Sequence, residues 1–196
     1  MLVELGAALA VAAFATSEFK DFYFSIAALI ALGVILSLML SDVSEIALNL
    51  ITMAILVPGI LLWTLRKTGV REDSAAFSGM PSVAALIMTL LVTTYPAALL
   101  LDALNVPRSG VFGALIILIG AYCMLTKSDV LKVLIGFVMV EAGFHQILSV
   151  TAHSPSLSVV LHAVLLIAIL TGVYIVITIH ERTGSFSTMN LKALRW

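Results

Sequence analysis

Apolar residues in this chain come in long unbroken runs, separated by short polar breaks. Seven runs can be read, at 2–16, 22–40, 44–65, 82–101, 110–125, 130–151 and 157–180. Continuous runs predict helices, because membrane strands read as alternating segments of about ten residues. About 20 apolar residues cross a ~30 Å hydrocarbon core as a helix. The first run is short, about 22 Å if wholly helical, which suits a thin edge of the bilayer or an extension to Ser17. The brief breaks, Ser17–Asp21, Ser41–Val43, Asp102–Ser109, Thr126–Asp129 and Ala152–Ser156, predict antiparallel neighbours. The one long break, Arg66–Pro81, divides the chain in two. Residues 1–81 form a three-helix membrane segment with a cytoplasmic loop, and 82–196 a four-helix segment with a tail.

Basic residues give the pattern a direction. On a seven-span count Lys20, Arg66, Lys67, Arg71, Lys127, Lys132, Arg182, Lys192 and Arg195 fall on one side, and Arg108 alone on the other. The excess predicts an outside N-terminus and a cytoplasmic C-terminus. Ala13-Phe14-Ala15 resembles a signal-peptide cleavage pattern, but Glu4 stands where such a peptide carries bases, so the first run is expected to be retained. The tail, Gly184–Trp196, mixes Phe186, Met189, Leu191, Leu194 and Trp196 with Lys192 and Arg195. It is expected to lie on the interface or to dock on a neighbour.

Composition agrees with the pattern. The chain of 196 residues is 62% hydrophobic and 11% charged, with a net charge of −1. Those values exclude a soluble enzyme, a nucleic-acid binder and a disordered chain, and leave an all-α polytopic membrane protein. Cys123 is the single cysteine, which excludes an intrachain disulfide and a Cys-based metal centre. No Gly-rich phosphate loop, H-E-x-x-H or G-x-S-x-G is present, so no cofactor and no self-contained catalytic site are expected.

Inside the runs, Pro58 and Pro96 remove backbone donors and free the carbonyls of Ala54 and Val92, which predicts kinks. Thr93 and Thr94 could satisfy neighbouring groups. Gly136 and Gly143 repeat the seven-residue spacing of Gly113 and Gly120, so the last three spans are expected to pack as one bundle.

The candidate chemistry lies in Leu131–Val150. Glu141 stands about 15 Å along that run, near the bilayer midplane, where an ionised carboxylate is costly and by default functional. His145 and Ser149 follow at successive turns on the same face. His162, in the last run, reaches the depth of His145 on antiparallel packing. These three, Glu141, His145 and His162, are the candidate proton pathway. The alternative for each is a hydrogen bond that only holds helices together. Glu4 and Glu45 are expected to be solvated at span ends, and Asn49 to act as packing glue. Between Lys132 and Glu141 the helix carries no polar group, so it offers no route from that side.

Leu134-Ile135-Gly136-Phe137, Met139, Glu141-Ala142-Gly143 and His145 resemble the NuoK subunit of complex I. With Ile51-Thr52, Val57-Pro58, Arg182-Thr183-Gly184-Ser185 and Asn190–Leu194 they resemble more fully the seven-span HyfE-type subunit of hydrogenase-4-like complexes. The chain departs from these families at Val138, Ala168 and Met53, where they carry charged residues. The resemblance implies a non-catalytic subunit of an energy-converting complex of the group 4 [NiFe]-hydrogenase or formate hydrogenlyase type. Its partners would be antiporter-like proton-channel subunits and a NuoH-like subunit, with a NuoK-like unit formed by the last three helices. A subunit of a multi-subunit cation/proton antiporter and a structural membrane spacer remain as alternatives.

Overall fold

A computed structural model describes residues 2–73, 80–103, 105–107, 110–151 and 155–187. Among them the chain forms seven helices and no strand, beyond two isolated bridges. The helices are α1 (Leu2–Glu18), α2 (Phe22–Leu38), α3 (Val43–Thr68), α4 (Met80–Ala103), α5 (Gly110–Thr126), α6 (Val130–Thr151) and α7 (Pro155–Thr183). Each matches one apolar run. In the described chain α3, α6 and Ser156–Thr183 of α7 are long and apolar enough to cross a membrane, while α2 and α5 are shorter apolar helices. Large apolar side chains also cover the outside, among them Phe24, Ile55, Trp63, Tyr95 and Tyr174. An apolar exterior around an apolar core is the distribution of a membrane protein.

Local chemistry sets the helix ends. Asp21 and Asp42 cap α2 and α3, accepting from the amides of Tyr23 (2.8 Å) and Ser44 (2.7 Å). Asp129 accepts from Leu131 N (3.0 Å) at the start of α6. Gly69 and Gly184 stop α3 and α7 with left-handed backbones (φ 70° and 68°), and their amides return to the carbonyls of Leu65 and His180.

Pro58 does disturb its helix. Leu50–Leu56 widens to π-helical spacing, and Val57 N–H bonds back to Thr52 O. The wider turn comes just before the ring that would clash with the carbonyl four residues earlier. It also sets Met53 against Gly33 of α2, where a Cβ would lie 3.0 Å from Met53 Cβ. Asn49, in the preceding turn, donates to Ser37 Oγ (2.7 Å) and Gly33 O (3.3 Å), the expected packing role. Pro96 lies within α4. The side chains of Thr93 and Thr94, and Arg108, lie outside the described residues.

The glycine spacing produces the closest helix pair. Gly113 faces Gly143 and Gly120 faces Gly136, so α5 and α6 run antiparallel with backbones in contact. The last helix does not complete a closed three-helix unit. Gly172 of α7 meets Leu134 of α6, but α7 divides its packing between α6 and α3. With α1 packed on α2, α5 and α6, a circuit closes through α1, α2, α3, α7 and α6 around a connected apolar core.

One end of the molecule is tied by backbone. Phe22 N donates to Arg71 O (3.0 Å) and Asp73 N to Lys20 O (2.8 Å), joining the α1–α2 turn to the chain after α3. Val130 N donates to Phe186 O (3.0 Å), joining the α5–α6 turn to the chain after α7. The described part of the tail therefore docks on its own chain, with Phe186 buried against Phe22 and His180. Residues 188–196, which carry the rest of the tail, lie outside the described residues.

Arg71 bonds Asp21 at 2.9 Å and holds its carboxyl below the usual carboxylate range. A lowered folded-state pKa contributes stability above about pH 4 and loses it as pH falls through the lowered value. Amide exchange at Phe22 and Asp73, relative to intrinsic rates, should rise in that acid window. Protection unchanged through the titration would assign the tie to the backbone bonds alone.

Candidate functional site

Glu141 lies midway along α6, partly buried, and its Oε1 is enclosed with no hydrogen-bond partner among the described residues. Gln146 Nε2 on the same helix is likewise buried and unpartnered. Buried polar atoms are nearly always satisfied, so two on one helix mark a place where the isolated chain is incomplete or works.

One turn beyond Glu141, α6 carries His145, which packs against α7. His145 Nε2 lies 2.7 Å from Ser158 Oγ, and the His145 and His162 rings meet edge to face at 4.4 Å. His162 Nδ1 lies 2.8 Å from Ser158 O, which only accepts, so Nδ1 carries the proton and Nε2 is free to accept in a neutral ring. Ser158 thus orients both imidazoles, one with its hydroxyl and one with its carbonyl. All three residues are buried.

Glu45, expected to be solvated, is 6% exposed and belongs to this group. Parallel packing of α3 on α7 turns the first turn of α3 inward, and Glu45 lines a cavity of about 10 Å³ with His145, Ser149 and Ser158. That is room for about one water. A second cavity, about 70 Å³, begins at Glu45 and Ser149 and continues to Ser41 and Asp42, which are exposed. Polar groups therefore extend from the His145–Ser158–His162 cluster through Glu45 to one surface, with Glu141 one helical turn from His145 on α6. A sequence signal for Glu45 existed, since Asn49 and Thr52 continue its helical face.

A second polar cluster, at the opposite end of α6, was not anticipated. Lys127 and Lys132, expected among surface charges, are buried. Lys132 Nζ donates to Thr16 O (3.0 Å), Ser17 O (3.1 Å) and Ser25 Oγ (2.6 Å). The two carbonyls belong to the last turn of α1, where a cation meets the negative end of the helix dipole. Lys127 pairs with Glu18 Oε2 at 3.1 Å and donates to Ser82 Oγ (3.1 Å), while Tyr122 Oη donates to Ser82 O (2.7 Å). Ser17 Oγ, bonded to Glu18 Oε1 at 3.1 Å, links the two lysines' surroundings. The available clue was Lys132 in the first turn of its helix, the wrong end for a cation. From Lys132 to Glu141 α6 carries only apolar residues, about 13 Å of helix.

No group of three or more His, Cys, Asp or Glu side chains that could hold a metal occurs among the described residues. Compared with family models, curated proteins and solved structures, the chain finds no significant match.

Proposed function

We propose that this chain is a non-catalytic subunit of an energy-converting redox complex of the hydrogenase-4 type, set between antiporter-like subunits and a NuoH-like subunit. All seven helices cross the membrane, with the N-terminus outside and the C-terminus cytoplasmic. Glu141 exchanges protons within the membrane, and His145 and His162 extend its path toward the end bearing Glu45. The family part of this reading rests on the sequence resemblance.

The observation that carries the proton-pathway role is the enclosed, unpartnered Glu141 Oε1, one turn from a histidine already linked through Ser158 to another. A carboxyl group serving only as glue between these helices would be bonded to one of them. Intramembrane acids otherwise occur on proton and ion paths.

Two variants of the assembled complex test this. Glu141→Gln keeps shape and polarity, so assembly should persist while ion translocation into membrane vesicles falls about a hundredfold, the lower range for a lost proton-transfer group. Glu141→Leu should do the same. Normal coupled translocation in an assembled Gln variant, with damage only in Leu, would make Glu141 a structural hydrogen-bond group and the subunit a spacer.

A further inference from the structure

A groove of about 770 Å³ runs between α3 and α7, from Ile55 and Leu170 at its apolar end to Lys67 and Arg182 at its charged end. The two helices are parallel, and on each the limits lie twelve residue steps apart, about 18 Å of helix. Half of a ~30 Å hydrocarbon core is about 15 Å. The groove thus has the length of one leaflet, with its cations at headgroup level.

Its chemistry changes along that length in the same sense. The inner part is aliphatic, and its floor is open because Gly59 has no side chain; a Cβ there would meet nothing within 4 Å. Trp63, which is exposed, flanks the outer part, with Lys67 Nζ 5.6 Å from its ring, while the exposed Tyr174 stands lower, one turn above Leu170. At the mouth Lys67 and Arg182, with Arg66 adjacent, outnumber Glu181, the one carboxylate lining it among the described residues, which lies 3.8 Å from Lys67 and is itself exposed. A partner helix laid in the groove would cover these cations with apolar surface. An anionic headgroup would pair with them.

We propose that this groove binds one anionic phospholipid, its acyl chain along Ile55, Ile60, Leu170, Val173 and Ile177 and its phosphate between Lys67 and Arg182. The site requires only that the chain lie in a bilayer, and it is independent of the redox-complex reading.

Native mass spectrometry of the full chain in mild detergent tests it, with phosphatidylglycerol or phosphatidylcholine of identical acyl chains added. One phosphatidylglycerol should be retained in preference to phosphatidylcholine. Arg182→Gln and Lys67→Gln should each weaken that preference, by about fivefold per cation lost. Gly59→Leu should lower retention of both lipids while thermal unfolding shows the fold intact. Equal retention of the two lipids, a preference surviving both Gln variants, or lipid binding indifferent to Gly59→Leu would each overturn the proposal. So would crosslinking of position 63 to a partner subunit's helix in native membranes.

Discussion

Glu18→Leu should destabilise the folded chain by about 3–5 kcal/mol, because it leaves the Lys127 ammonium buried without its counter-charge. The Lys127 side chain is 1% exposed, and the pair joins the last turn of α1 to the end of α5. Ser82 Oγ, its other acceptor, is neutral and belongs to the first turn of α4. Lys127→Met should cost a similar amount by stranding the carboxylate. The double variant, Glu18→Leu with Lys127→Met, should recover most of either loss, since an apolar pair can replace a buried ion pair at little cost. Chemical unfolding of the three variants in one detergent measures this as a coupling energy. Additive losses in the double variant would show that the two side chains act separately.

Gly120→Ala should cost about 1–3 kcal/mol, and Gly120→Leu should prevent α5 from pairing with α6. A Cβ at Gly120 would lie 2.7 Å from Gly136 O and 2.9 Å from Val140 N. These are backbone atoms, which move only if a helix moves. Gly136→Ala meets Gly120 O at 2.8 Å and should behave alike. Gly59→Ala is the control: it enters open space and exchanges glycine for the best helix former, a gain of up to about 1 kcal/mol. Equal stability of Gly120→Ala and Gly59→Ala would mean that the two helices have room to part.

The apolar runs alone located all seven helices, because in a chain this hydrophobic only punctuation is informative. Asp21, Asp42, Asp129, Gly69 and Gly184 are local signals, and each acts within a few residues of its position. The glycine spacing revealed the α5–α6 face for a related reason: helix geometry converts spacing along the chain into a face. Glu141 was legible because a lone carboxylate in a long apolar run needs no partner to be noticed. The meeting of His145 with His162 needed only the antiparallel sense of α6 and α7.

Burial of the charges near helix ends was a tertiary outcome. Lys132 reads locally as a loop-edge cation, and only the arrival of α1's C-terminal carbonyls makes an inward position favourable. Lys127 needs Glu18 from 109 residues away. Glu45 became part of the histidine cluster because the circuit through α3, α7 and α6 turns its face inward. In each case the partner is distant in sequence, and a charged side chain near a helix end is stable either in water or with the right partners. Periodicity cannot choose between those two solutions; the packing of the other helices does.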